Sequence, residues 1–176
     1  MKLAMSIVSA ALLLWSGAAL ADKTAGEYVD DSTLQAEVKA KLVGGDFMGG
    51  MGVNTEVRKG VVQLGGWVDD GDKATKAAEM VAGIEGVKEV DNQLHAKRGE
   101  ATAGQTLDDT VITSKVKSAI AGADLGQGIK ISVETYNGAV LLTGFVDTEE
   151  HKAAAGEKAA AVSNVKDVVN GIYVYD

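Results

Sequence analysis

The feature of this sequence that most constrains its fold is an internal repeat. When the chain is shifted by seventy-eight positions, one half falls on the other without a gap. The matched positions hold mostly apolar residues and glycines, which fill a core or occupy special backbone positions, so the repeated object is a fold. The clearest pairs are Leu34 with Ile112, Val38 with Val116, Leu64 with Leu142, Gly66 with Gly144, Trp67 with Phe145, and Val90 with Val168. Because this period exceeds the roughly 20 to 50 residues of solenoid repeats, the sequence predicts two small domains of one type.

The chain begins with a pattern typical of a secretory signal. Lys2 precedes the apolar run 3–15, and small residues then lead to an Ala-x-Ala site that ends at Ala21. The alternative is a membrane anchor, but the run is shorter than the roughly 20 residues that a spanning helix needs. We therefore expect cleavage after Ala21. Because the sequence contains no cysteine for a lipid anchor or a disulfide, we expect a soluble periplasmic protein that is not lipid-anchored.

The acidic composition argues against one class of partner. The chain has 25 Asp and Glu residues against 17 Lys and Arg residues, which gives a formal net charge of −8. Affinity for nucleic acid comes mainly from clustered Lys and Arg, so we do not expect nucleic-acid binding. The same charge weakens attraction to anionic lipid without excluding it.

Each copy of the repeat begins with a predicted helix. Acidic and hydroxyl residues open it at 30–33 and at 108–110, where carboxylates are stabilised by the free amides of a helix start. Apolar residues then recur at helical spacing, and a glycine ends both helices. In the first copy, Ser32 and Gln35 are placed for a capping box.

The rest of each copy predicts two strands, a second helix and a third strand. Alternating apolar residues indicate the strands, and the second copy joins the first two strands through Asn137-Gly138, a strong hairpin signal. Asp69 and Asp147 are predicted to cap the second helix. A glycine inside the second strand of each copy indicates a bulge or the close approach of a helix backbone.

The predicted fold class is α+β, with two tandem αββαβ domains. In each domain a three-stranded mixed sheet carries two helices on one face. The third strand runs parallel to the second if the two are neighbours, because a helical crossover separates them. The predicted division of the chain is a signal peptide (1–21), a flexible amino terminus (22–29), a first domain (30–97), a linker (98–107) and a second domain (108–176).

The sequence offers no motif for catalysis or for a cofactor. The two histidines, His95 and His151, occupy unmatched positions of the two copies, so the repeat encodes no pair of metal ligands. The acidic stretch 69–72 lacks the further oxygen ligands and the closing glutamate of a calcium loop. Phosphate loops, nucleophile elbows and zinc-protease patterns are not found. We therefore expect a binding or structural protein and not an enzyme, without a metal, a cofactor or a small-molecule substrate.

The first candidate surface is the glycine-rich loop 45–52. Phe47, Met48 and Met51 give this loop an apolar tip able to enter a bilayer interface or to hold an unfolded segment. The alternative is that these side chains close the end of the core. The corresponding loop of the second copy, 125–129, is less apolar.

The second candidate surface is the face of each sheet that points away from the helices. The first copy is predicted to place Gln63, Trp67, Asp91, Gln93 and His95 there, and the second copy Leu141, Phe145, Val169, Gly171 and Tyr173. The second set is an apolar strip, and such strips usually mark an interface. We hypothesise that Leu141, Phe145 and Tyr173 contact the first domain or a partner protein.

These motifs together resemble those of the BON domain family, named for bacterial osmotically inducible and nodulation proteins. The resemblance rests on the acidic helix start, the strand Val-x-Leu-x-Gly-x-Val and the closing strand Val-x-x-Val-x-Asn, and it spans nearly all of the chain after residue 21. It implies a periplasmic protein of envelope and osmotic stress that contacts phospholipid membranes or, like a chaperone, unfolded exported proteins. The alternative is an osmotic-stress structural or solvating protein without a specific ligand. The oligomeric state stays open.

The loop hypothesis makes a testable prediction. Replacing Met48 by Asp places a charge on the apolar tip, so we expect weaker binding to liposomes in a flotation assay and an unchanged melting temperature. A large fall in the melting temperature would show instead that Met48 belongs to the core.

Overall fold

The computed structural model describes residues 30–45, 52–123, 125 and 129–175. The predicted signal peptide, residues 22–29 and the loop residues Phe47, Met48 and Met51 lie outside the described residues. The elements in chain order are α1 (Asp31–Gly44), β1 (Asn54–Arg58), β2 (Val61–Val68), α2 (Gly71–Ala82), β3 (Glu89–Ala96), α3 (Ala103–Ala121), β4 (Ile131–Tyr136), β5 (Ala139–Val146), α4 (Glu149–Ala160), β6 (Asp167–Asn170) and β7 (Tyr173–Val174).

The two domains share one topology, which confirms the predicted α+β fold class. In the first domain β2 is the central strand, antiparallel to β1 and parallel to β3. In the second, β5 is central, antiparallel to β4 and parallel to β6 and β7, which form one interrupted edge. The parallel pairing follows from the helical crossover between the paired strands.

The helices cover one face of each sheet. Alternate residues of β2, Val62, Leu64 and Val68, share an apolar cluster with Leu34 of α1 and Val81 of α2. The equivalent residues of β5 form the second core with α3 and α4. The residues between them on β2 and β5 are also almost all buried, although a sheet covered on one side normally exposes alternate residues. The second face of each central strand is therefore covered as well.

The capping predictions were wrong in detail. The capping box forms at Thr102 and Gln105, so α3 begins inside the segment predicted as the linker. Ser32 and Gln35 form no such box: the cap of α1 is Asp30, which makes no side-chain capping bond, and Gln35 Nε2 donates to the Thr55 carbonyl at 2.7 Å.

The second helices are also capped one residue later than predicted. Asp70 and Thr148 occupy these positions and accept hydrogen bonds from the first-turn amides. Asp69 and Asp147 instead bind cations: Lys97 lies 2.8 Å from Asp69, and Arg58 lies 2.9 Å from Asp147. Hydrogen bonding and attraction from Lys97 hold the pKa of the Asp69 carboxyl below its ordinary value.

An aspartate of the first helix of each domain holds the hairpin turn. Asp31 accepts hydrogen bonds from the Lys59 and Gly60 amides at 2.6 and 3.0 Å. In the second domain Asp109 accepts from the Asn137 and Gly138 amides at 2.7 and 2.8 Å. Both turns have positive φ at their two central residues, as type I′ turns require. The repeated aspartate therefore joins the first helix to the hairpin and does not act mainly as a helix cap.

The glycine inside each central strand marks a close backbone approach. Gly66 has φ of +144°, and a Cβ there would lie 2.0 Å from the Gly52 carbonyl oxygen. Gly144 has φ of +131°, and its Cβ would lie 2.3 Å from the Lys130 carbonyl oxygen. The approaching backbone leads into β1 or β4 and is not the predicted helix.

The repeated asparagine of the closing strand ties that strand to the second helix. Asn92 Nδ2 donates to the Ala74 carbonyl at 3.2 Å, and Asn170 Nδ2 donates to the Lys152 carbonyl at 2.8 Å. A side chain that links a strand to the neighbouring helix in both domains explains why asparagine recurs at this position.

We call the hydrogen bonds that Asp31 and Asp109 accept from the hairpin turns the aspartate clamp. Removing the two side chains should lower the stability by unequal amounts. Asp109 is 8 % exposed, so Asp109→Ala strands two amides in a buried site and should lower the free energy of unfolding by about 2 to 3 kcal/mol. Asp31 is more exposed, and Asp31→Ala should cost about 1 kcal/mol. Urea unfolding measures both, with the exposed neighbour Asp108→Ala as the matched control. Equal effects of Asp108→Ala and Asp109→Ala would contradict the clamp.

Candidate functional site between the two sheets

The helix-free faces of the two sheets pack against each other, with Gln63 at the centre. Gln63 is 1 % exposed. Its Nε2 donates to the Gly171 carbonyl at 2.8 Å, and its Oε1 accepts from the Gly144 amide at 2.5 Å. Since Gln63 lies in β2 and both partners lie in the second domain, one buried side chain bridges the domains with its donor and its acceptor both satisfied.

The packing relates the domains by an approximate two-fold axis. Gly65 lies against Thr143, its own equivalent in the repeat, and a Cβ on Gly65 would be 2.6 Å from Thr143 Cγ2. Contact between equivalent positions is the mark of a two-fold interface. A glycine in one domain thus makes room for a threonine in the other.

The interruption between β6 and β7 belongs to the same interface. The first domain has one continuous strand here, Glu89–Ala96, but the second is broken around Gly171. A Cβ on Gly171 would lie 2.7 Å from Gln93 Oε1. The break lets Gly171 approach the first sheet and direct its carbonyl to Gln63, and a glycine inside a strand pattern was the available sequence signal.

Polar pairs surround this buried centre. Asn54 Nδ2 donates to Glu134 at 2.8 Å, and the Lys59 ammonium lies 4.1 Å from the Tyr175 ring centroid. Together with the exposed Arg58–Asp147 ion pair, these contacts add orientation more than stability.

The three predicted partner-binding residues of the second domain lie at this interface. Leu141 and Phe145 are 1 % and 7 % exposed and flank Thr143 on the face away from the helices. Tyr173 stacks on Phe145 with centroids 5.5 Å apart, and its hydroxyl donates to Glu89 of the first domain at 3.3 Å. Partial burial raises the pKa of Tyr173, and the Glu89 carboxylate raises it further. Of the two alternatives in the hypothesis, contact with the first domain is the arrangement in this structure.

A cavity of about 420 Å³ opens at one end of the interface. It lies between the carboxyl end of β3 and the β4–β5 turn. Its walls include Trp67, His95, Arg98, Tyr136, Asn137 and Lys166. The Trp67 and His95 ring centroids are 5.8 Å apart, and those of Trp67 and Tyr136 are 6.1 Å apart. Sequence analysis placed Trp67 and His95 on this face but had no signal for the cavity, which needs both domains.

Two further features bear on function. Among the described residues, no group of three or more His, Cys, Asp or Glu side chains is arranged to hold a metal ion. Within the same residues, no helix combines the length and the apolar character needed to cross a bilayer.

Large apolar side chains exposed in the described segments are few. They are Val43 on α1, at 62 %, and Leu107 and Val111 on α3, at 71 % and 51 %. Leu107 and Val111 are four residues apart and therefore neighbours on one face of the helix.

Comparisons with known proteins place both domains in one family. Residues 30–98 and 108–175 each match the BON domain. The chain is 33 % identical over 148 residues to osmotically-inducible protein Y of Escherichia coli (strain K12), covering 84 % of this chain and 74 % of that protein. It is 31 % identical to the outer membrane lipoprotein DolP of Haemophilus influenzae over 84 % of this chain and 76 % of that protein.

A third relative and a solved structure are more distant. The 21 kDa hemolysin of Actinobacillus pleuropneumoniae is 30 % identical, covering 85 % of this chain and 77 % of that protein. The carboxyl-terminal domain of CdsD, a structural protein of the type III secretion system of Chlamydia trachomatis, matches with a TM-score of 0.32 and 14 % identity, over 84 % of this chain and 68 % of that one. A likeness at that level supports no inference about this chain.

The bridging role of Gln63 makes a testable prediction about stability. Gln63→Leu introduces an apolar side chain of similar size, as in the equivalent Leu141, but leaves the Gly144 amide and the Gly171 carbonyl without the partner that Gln63 provides. We expect a loss of about 2 kcal/mol or more in the free energy of unfolding, measured in urea. Gln93→Leu is the matched control, because Gln93 Nε2 donates only to Asp91 of its own strand and its loss strands no group of the other domain. Equal costs for the two substitutions would refute the bridging role.

Proposed function

The chain belongs to the BON domain family, and from that premise we propose that it is a non-catalytic periplasmic protein of envelope and osmotic stress that contacts phospholipid membrane surfaces. The setting is supported by relatives named for osmotic induction and for the outer membrane. Export is supported by the signal-like amino terminus. The proposed contact is peripheral, on the surface of the bilayer.

The observation that carries the membrane proposal is the apolar pair Leu107 and Val111. Both side chains are more than half exposed on α3, although the rest of that helix buries its apolar residues Ile112, Val116 and Ile120. Burying an exposed aliphatic side chain contributes about 1.5 to 3 kcal/mol. Because binding at a lipid interface scales with the apolar area that is buried, these two side chains favour a weak, reversible contact.

The locations of the groups with shifted pKa values support a non-catalytic role. Catalytic sites tend to collect groups with shifted pKa values in one cleft. In the described part of the chain the shifted groups are Asp69, Glu150 and Tyr173. They lie at separate places: Asp69 is beside Lys97, Glu150 accepts a backbone hydrogen bond in the first turn of α4, and Tyr173 is partly buried beside Glu89.

Binding of unfolded exported chains is the second candidate. The observation in its favour is the strip formed by Leu141 and Phe145, which is apolar but covered by the first domain. This candidate requires the domains to separate, whereas membrane contact through Leu107 and Val111 requires no rearrangement. The solvating alternative is favoured only by the net charge of −8.

The membrane proposal is tested by flotation with liposomes of neutral and of anionic phospholipid. The double substitution Leu107→Ser and Val111→Ser removes the apolar pair. We expect the partition constant between buffer and liposomes to fall at least about fivefold for both lipids. Val43→Ser is the matched control, since it removes an equally exposed apolar side chain from α1 and should leave flotation unchanged.

The other outcomes separate the candidates. Loss of flotation with Val43→Ser but not with the α3 variant would contradict a contact through α3 and favour the first-domain loop. Suppression of client aggregation by a protein that never floats would favour binding of exported chains.

A further inference from the structure

The second domain contains two Asn-Gly dipeptides, a pair of residues that is prone to spontaneous loss of ammonia. They are Asn137-Gly138 in the β4–β5 turn and Asn170-Gly171 at the end of β6. The equivalent pairs of the first domain are Lys59-Gly60 and Asn92-Gln93. In an unfolded chain the main-chain nitrogen of the glycine reaches the asparagine side chain easily, because no Cβ obstructs the approach. In the folded chain the environment of the glycine amide decides whether the pair reacts.

This reaction, deamidation, requires water and base but no cofactor. Hydroxide removes the proton of the Gly138 amide. The nitrogen then forms a bond to Asn137 Cγ, while the Cγ–Nδ2 bond breaks and ammonia leaves with a proton from water. Water next opens the cyclic imide that has formed. Opening at Cγ gives aspartate, and opening at the main-chain carbonyl carbon gives isoaspartate, in which the main chain is longer by one carbon.

The aspartate clamp opposes the first step of deamidation at Asn137-Gly138. The Gly138 amide donates to Asp109 Oδ1 at 2.8 Å, and both residues are buried. A negative charge beside the amide disfavours removal of its proton. The side chain of Asn137 is held as well, because its Nδ2 donates to the Arg98 carbonyl at 3.2 Å. Hydrogen bonds therefore restrain both the attacking nitrogen and the group that it attacks.

We propose that Asn137-Gly138 is a latent deamidation site, which the aspartate clamp keeps unreactive while the second domain is folded. Asn137 is partly exposed, so release of the turn from Asp109 requires only a local opening. Asn170-Gly171 differs, because the Gly171 amide donates to the Leu142 carbonyl at 2.9 Å and is freed only when the pairing with β5 breaks. The two dipeptides therefore report local opening and general unfolding of the same domain.

Conversion to isoaspartate makes the release of the turn permanent. The additional main-chain carbon does not fit a turn in which both central residues have positive φ, so the Asn137 and Gly138 amides can no longer both face Asp109. Either product also lacks the Nδ2 donor that holds the Arg98 carbonyl. Deamidation at this position thus weakens both the clamp and the contact between the turn and the segment that connects the domains.

The test measures both Asn-Gly pairs by peptide mass spectrometry after the full chain is incubated in mildly alkaline buffer, with and without guanidinium chloride. Both pairs should convert in the denaturant. In buffer alone, conversion of Asn137 should be at least about tenfold slower than in the denaturant. Equal rates of Asn137 conversion in the two conditions would overturn the proposal, and so would the absence of conversion in the denaturant.

Two variants separate the clamp from general stability. Asp109→Ala removes the clamp, and Val116→Ala lowers the stability of the same domain from within its core. We expect Asn137 to convert at least about tenfold faster in Asp109→Ala than in Val116→Ala, whereas Asn170 should convert at similar rates in both. Equal rates at Asn137 in the two variants would refute the protective role of Asp109.

The modified protein tests the consequence of conversion. Both products add a negative charge, so ion exchange separates them from the unmodified chain. The fraction with isoaspartate at position 137 should unfold at a lower urea concentration, because it has lost the clamp. An unchanged unfolding midpoint of this fraction would contradict a permanent release of the turn.

Discussion

The arrangement of this protein depends on burying both faces of two central strands. Helices cover one face of each strand, and among the described residues the other sheet covers the second face. Gln63 sits in the middle of that contact, where an amide is tolerated only if its donor and its acceptor are both paired. The Gly144 amide and the Gly171 carbonyl meet that requirement and thereby fix how the two sheets align.

The repeat diverges where the domains meet and persists where each domain packs on itself. Val62, Leu64 and Val68 and their equivalents keep apolar character because both cores need the same shape. At the interface, by contrast, Gln63 stands opposite an apolar strand and Gly65 opposite Thr143, its own equivalent. The residues that meet at the interface therefore differ between the two domains, whereas those of the two cores stay alike.

Much of the fold could be read from local patterns. Alternating apolar residues gave the strands, and Asn137-Gly138 gave a turn whose positive φ angles the structure confirms. The cap of α3 was missed because Thr102 and Gln105 lie in a polar stretch, where no apolar residues at helical spacing mark the start of a helix. The Asp31 clamp was missed for a different reason: its partners are in a turn that is distant in sequence, and a carboxylate at a helix start already has a local explanation. The cavity beside Trp67 arises from two segments that meet only after docking, so periodicity could not reveal it.

The short connection between the domains has a consequence for how strong their contact must be. Strand β3 ends at Ala96 and α3 begins at Ala103, so the tether consists of a few residues. A tether of this kind holds its ends at an effective concentration on the order of millimolar. Even a contact of modest intrinsic affinity therefore stays closed within one molecule, and a domain from a second molecule competes for it poorly in dilute solution.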